Sequence, residues 1–215
     1  MAAFQGGYLT IGNYHGTPVK VHWSIIPGAL FFGHLRFVPG FWLGFAALVL
    51  FHELGHAFVV RQVHAKVSLV EAHGLGGLCW WEGKVTPIQR ACIAWGGIWA
   101  QMVCWTLADT LIHWFPPADD FTAQLAWVFT TTNVWMMLIN LIPVRPLDGA
   151  EAWKLFPLLL NARRRAREQE MKKMIADSRK QLARSDRLGE EAPPEVVAVV
   201  DEILKSAKGS ASKEK

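Results

Sequence analysis

The sequence predicts a mainly α-helical, polytopic membrane bundle of about four spans and an interfacial half-helix. A small β-hairpin at the cytoplasmic face and a helical cytoplasmic tail complete it. Three observations carry this. Of 215 residues, 52% are apolar and the mean hydropathy is positive, which is high for a soluble domain. The apolar residues gather into runs near the ~20 residues needed to cross a bilayer. Eleven tryptophans suit a chain with membrane–water boundaries, where indole rings concentrate.

Four runs are read as spans: Val21–Val38, Phe41–Val60, Ile88–Phe115 and Phe121–Ile142. The first is interrupted by Pro27, His34 and Arg36. Pro39-Gly40 turns the chain into the second, and Pro116-Pro117 separates the third from the fourth. Arg61, Lys66, Lys84 and Arg90 follow span two, whereas Asp119 and Asp120 follow span three and Arg145 follows span four. With basic loops inside, both termini are cytoplasmic, and Arg36 is the exception. Span two then runs inward, and its inner half carries FHELGH, residues 51–56.

Residues Val63–Pro87 are too polar to cross. Weak alternation and Gly74, Gly76, Gly77 and Gly83 suggest a β-hairpin at the inner surface. GAEAWKLFPLLL, after Asp148, is short enough for an interfacial or half-membrane helix. The membrane core is assigned to residues 1–160 and a basic helical tail to 161–215. The tail begins with a polar helix and continues, after Pro193-Pro194, as a short helix ending at Gly209.

Net charge is +4, and all of it resides in the tail. From Arg163 onward there are 14 Lys/Arg against 10 Asp/Glu; the preceding residues balance at eight each. This fits contact with anionic lipid and is not evidence of a nucleic-acid surface, so no nucleic-acid partner is expected. The run Arg163, Arg164, Arg165, Arg167 reads as a cytoplasmic stop signal and head-group contact, or as a docking site for a soluble partner. The short tail helix offers an apolar face to the rest of the tail, a second copy or a partner. Cys79, Cys92 and Cys104 form no CxxC pair and read as reduced packing thiols. The first 20 residues, mixed and glycine-rich, do not resemble a cleavable signal peptide.

Two histidines four residues apart on a helix share one face, so His52 and His56 can bind one zinc ion at about 2.0–2.1 Å. Glu53 lies about 100° around the helix, where it can take a proton from an activated water. Ionisable residues inside a span are costly and usually functional. Zinc hydrolases normally use three protein ligands. Asp148 is the best third candidate, because span four brings it to the same depth; His34, His64, His73 and Glu71 are competitors. His73 is otherwise a surface-loop residue, and Trp80-Trp81 an interfacial anchor.

FHELGH, followed about 90 residues later by NLIPVRPLDG, resembles the site-2 protease family of intramembrane zinc metalloproteases. The paired motifs are HExxH and NxxPxxxLDG. GTPVKVHWS is similar to the opening of the compact bacterial and archaeal branch, which includes sporulation-factor processing proteases. The resemblance covers roughly residues 8–160. It implies one zinc held by His52, His56 and Asp148, with Glu53 as catalytic base. It also implies that Asn140 holds the substrate strand or the oxyanion, and that Gly76-Gly77 belongs to a hairpin receiving a transmembrane substrate. Asn140 otherwise reads as a helix-end residue bonded to backbone.

The chain departs from the family in its third span. AWGGIWA keeps Gly96 and Gly97 but lacks the proline of the family's AGP-like motif, and close helix packing is the simplest role for these glycines. Neither a PDZ insertion nor a cystathionine-synthase-type regulatory domain is expected in the space available. Two rival readings use the same residues: a non-proteolytic zinc-binding membrane scaffold and a metal transporter. A scaffold needs no base, and a transporter needs a polar path to both faces.

Overall fold

A computed structural model describes residues 4–33, 35–74, 76–189, 194, 197 and 198. His34 lies outside them, as does the short tail helix apart from Val197 and Ala198. The chain divides into two compact units, Met1–Leu158 and Leu159–Lys215.

The expected hairpin is part of a larger mixed sheet. β4 (Lys66–His73) and β5 (Gly76–Glu82) do form an antiparallel hairpin. Three N-terminal strands extend it: β1 (Phe4–Gln5), β2 (Tyr8–Tyr14) and β3 (Thr17–His22). The order is β1-β2-β3-β4-β5, antiparallel except for β3 beside β4. A two-residue turn joins β2 to β3, with His15 and Gly16 both at positive φ, matching the strands' right-handed twist. β5 is an edge strand, so one row of its backbone groups is unpaired within the sheet.

The expected span Val21–Val38 is not one helix. Val21 and His22 belong to β3, where Val21 pairs with Ala72 of β4. Helix α1 covers only Ile25–Phe32, about 12 Å, too short to cross a bilayer alone. The β4–β5 turn pins its start: Gly74 N–H donates to Ser24 Oγ at 3.2 Å, and a Cβ on Gly28 would overlap the Gly74 backbone.

Helices α2 (Pro39–Gln62) and α3 (Pro87–Trp114) are long and apolar enough to cross a membrane. Their 24 and 28 residues give about 36 and 42 Å. Proline occupies the first turn of each, where its missing N–H costs nothing. Thr86 and Gln89 close a capping box on α3, at 3.2 and 2.8 Å. On α3, Trp99, Val103, Leu107, Leu111 and Trp114 are exposed, forming the apolar surface that lipid would cover.

The expected fourth span is helical over residues 120–140 but irregular. Helix α4 (Asp120–Trp127) passes through a π-helical turn (Val128–Thr132) into α5 (Asn133–Asn140). After Asp148 comes the one-turn α6 (Gly149–Ala152), then α7 (Leu155–Leu188). The expected half-helix is therefore one turn plus the start of a 34-residue helix that continues into the tail.

Two apolar clusters surround α2. Phe41, Phe45, Leu48 and Val49 pack with Ala29, Ala72, Val128 and Met136. Nearer its end, Ala57 and Val60 pack with Val19, Val67, Val70 and Ile93. These contacts hold α2 against both the sheet and α3. Gly55 and Gly96 sit at the α2–α3 crossing, where a Cβ on Gly96 would lie 2.7 Å from the Gly55 carbonyl oxygen.

Candidate metal centre

His52 and His56 are buried one turn apart on α2 and face α3. Their Nε2 atoms lie 3.1 Å apart. Asp148 Oδ2 lies 3.0 Å from His52 Nε2 and 3.2 Å from His56 Nε2. A tetrahedral site with bonds of about 2.05 Å separates its ligand atoms by roughly 3.4 Å, so a divalent cation fits after a slight expansion. Among the described residues this is the group able to hold a metal.

The imidazole protons sharpen the assignment. His56 Nδ1 is 2.7 Å from the Ile93 carbonyl oxygen, and His52 Nδ1 is 2.9 Å from Gln101 Oε1. Oxygen acceptors place the single proton of each neutral ring on Nδ1. Two bare Nε2 lone pairs and a carboxylate oxygen then converge on one point. Three electron pairs aimed together call for a cation, and two imidazoles with a carboxylate form a donor set that suits zinc.

Several contacts deliver Asp148. The chain turns after Asn140 through the Pro143–Pro146 loop, and α6 returns against α3. Trp95 Nε1 donates to the Ala152 carbonyl at 2.9 Å, and Trp153 Nε1 donates to the Leu141 carbonyl at 2.7 Å. A Cβ on Gly149 would overlap the Leu141 carbonyl oxygen, so glycine permits this close return.

Glu53 is buried, with Oε1 4.0 Å from His52 Nε2. Gly97 faces the imidazoles: a Cβ there would lie 2.5 Å from His52 Cε1 and 2.6 Å from His56 Nε2. The glycine pair of α3 therefore divides its work. Gly96 permits the helix crossing, and Gly97 clears space for the histidines.

A cavity of about 410 Å³ opens onto the centre. Its lining includes Glu53, Gly76, Gly77 and Asn140 besides the three candidate ligands. Every residue selected from the sequence for this site thus reaches one space. Of the competitors for the third ligand, His73 instead faces Glu71 at 3.6 Å, and His64 follows the end of α2. Cys79 also lines the cavity, and burial, followed by the charge of Glu53, pushes its thiol up to about 12.

Two buried amides escaped the sequence reading. Gln101 on α3 and Asn133 on α5 are fully buried. Asn133 Nδ2 donates to the Gln101 carbonyl at 2.9 Å and to the Phe129 carbonyl at 3.2 Å. A signal was present in the sequence: Gln101 interrupts an apolar run, and Asn133 ends a polar TTTN stretch inside a predicted span.

Fold and site together define a class, the membrane-embedded HExxH metalloproteins, in which two histidines from one helix meet a carboxylate brought by a distant segment. Known proteins make the class specific. Zinc metalloprotease Rip3 of Mycobacterium tuberculosis is 30% identical over 164 residues, covering 66% of this chain and 41% of that protein. Stage IV sporulation protein FB of Bacillus subtilis is 30% identical over 145 residues, covering 62% and 46%. The site-2 protease from Methanocaldococcus jannaschii shares the fold, with TM-score 0.54 at 15% identity, covering 83% of this chain and 81% of that one. No protein-family model matches. These likenesses support membership of the site-2 protease family, and the chain spans under half the length of the curated relatives it matches.

Proposed function

We propose that this chain is an intramembrane zinc metalloprotease that hydrolyses peptide bonds of transmembrane substrates near the cytoplasmic face. His52, His56 and Asp148 hold one zinc ion. The observation that carries this reading is the convergence of their three ligand atoms within 3.2 Å while both Nδ1 atoms face oxygen acceptors.

A zinc ion held by these three residues would supply Lewis acidity for a carbonyl and for a nearby water. Glu53 takes a proton from the attacking water and passes it to the leaving amine. Asn140, on the same cavity, orients the substrate strand or donates to the oxyanion. A transmembrane helix hides its peptide bonds in internal hydrogen bonds, so it must fray before cleavage. The edge strand β5 offers unpaired backbone groups to the frayed segment, which pairs as a sixth strand beside Gly76 and Gly77.

The chain is multi-pass with both termini cytoplasmic. Residues 1–160 form the proteolytic core, and the basic tail, 161–215, contacts anionic head groups, a regulator or a second copy. The buried Glu53 beside the centre favours hydrolysis over a zinc-binding scaffold. The candidate ligands cluster at one depth, which disfavours transport.

Metal content tests the centre. The detergent-purified chain should carry one zinc, and His56→Ala and Asp148→Ala should each lower occupancy at least tenfold under matched chelator. Full occupancy in both variants would remove the basis of the proposal. Zinc uptake into proteoliposomes would instead favour a transporter.

A further inference from the structure

His56 and His52 are supported differently. The acceptor for His56 Nδ1 is a backbone carbonyl, that of Ile93. The acceptor for His52 Nδ1 is a side chain on another helix, Gln101 Oε1 at 2.9 Å. A ring can offer Nε2 to a cation only while its proton stays on Nδ1, and that proton needs a buried acceptor.

We propose that Gln101 is a positioning residue for the metal centre. Its amide oxygen holds His52 in the Nδ1–H tautomer and fixes the ring so that Nε2 meets His56 and Asp148. The inference rests on the metal-centre reading above.

The opposite end of the amide strengthens this assignment. Gln101 Nε2 and Asn133 Oδ1 are both buried without a hydrogen-bond partner among the described residues. One is a donor and the other an acceptor, on residues already joined by the Asn133 Nδ2 bond to the Gln101 carbonyl. An apolar residue of similar shape at either site would avoid these orphaned groups. Packing therefore does not explain an amide at position 101, whereas the His52 proton does. Asn133 anchors α3 from α5, directly after the π-helical turn, a distortion often found at functional sites. Three helices thus meet through amide contacts behind one imidazole.

Two substitutions separate positioning from packing. Gln101→Met keeps the length and removes the acceptor; Gln101→Glu restores an acceptor and adds a charge that packing alone would reject. Zinc affinity is measured by chelator competition, and Co²⁺ in the same site reports ligand geometry through its visible absorption. Gln101→Met should bind zinc about 10–100-fold more weakly and shift the Co²⁺ spectrum. Gln101→Glu should stay within a few-fold of wild type in both. Wild-type affinity and spectrum in Gln101→Met would overturn the inference, as would a folded Gln101→Glu that fails as badly as Gln101→Met. Should Gln101→Met not fold, imidazole ¹⁵N NMR of the metal-loaded wild type decides: a proton on Nδ1 of His52 supports the proposal and one on Nε2 overturns it. A wild-type chain that takes up no metal overturns the centre itself, whereas normal uptake with an indifferent Gln101→Met overturns only the role of Gln101.

Discussion

Gly77 on β5 lies directly against the side chain of Glu53 on α2, so closely that a Cβ at position 77 would overlap the Glu53 Cγ. Two elements separated in the chain by strand β4 meet there without room for a methyl group. The strand proposed to receive the substrate therefore also walls in the proposed base. Gly77→Val should displace the carboxylate and lower cleavage of a co-expressed transmembrane substrate by about 10²-fold, the scale of a small misplacement of a reacting group. Zinc content should remain near one per chain, because the atoms nearest a Cβ at Gly77 all belong to Glu53. Unchanged cleavage would show that the Glu53 position is not critical.

Glu53→Gln isolates the proton transfer. The variant keeps the shape of the side chain and removes its basicity. Cleavage should fall by about 10²–10⁴-fold, the usual contribution of a general base, while zinc stays bound. Thermal stability in detergent should match or exceed wild type, since a buried carboxylate is replaced by a neutral amide. Loss of zinc in this variant would instead make Glu53 a ligand.

The candidate centre was legible in part because half of its signal is local. His52 and His56 need only helical spacing, and Asp148 follows from the ends of two apolar runs. The N-terminal strands were obscured because their pairing is not local: Val21 meets Ala72 in a parallel register that no nearby residue announces. Apolarity over Val21–Val38 therefore read as a span, although part of it is buried against the sheet. Gln101 and Asn133 were missed for another reason. Gln101 is a lone polar residue in an apolar run and Asn133 ends a polar Thr-Thr-Thr-Asn stretch, and the partner of each is set by how α2, α3 and α5 cross.

Cys79 gives a pH prediction. Burial raises its thiol to about 12, so the neutral form is favoured in the fold. That contribution to stability is complete below the ordinary thiol pKa near 8.5 and is lost as pH rises through the folded value. At pH 8, Cys79 should react with a maleimide on the order of 10³-fold more slowly than an ordinary thiol. Its rate should still climb about tenfold per pH unit between 9 and 11, where an ordinary thiol has levelled off. A plateau near pH 9, measured on a variant retaining only Cys79, would mean the thiol is not held neutral.

Gly96 links helix packing to metal binding. A Cβ at this position would stand 2.7 Å from the Gly55 carbonyl oxygen, so any larger residue forces α3 away from α2. The carbonyl of Ile93 and the amide of Gln101 both ride on α3 and face the two histidines. Gly96→Val should therefore cost about 1–3 kcal/mol by overpacking and weaken zinc binding in the same variant. Gly12→Ala provides the control, since a Cβ there meets nothing within 4 Å; it should leave both properties unchanged. Thermal unfolding in detergent and chelator competition, run on the same preparations, give the two readouts. A Gly96→Val chain that loses stability but holds zinc with wild-type affinity would separate the helix crossing from the centre, and the histidine supports on α3 would then have to move independently of it.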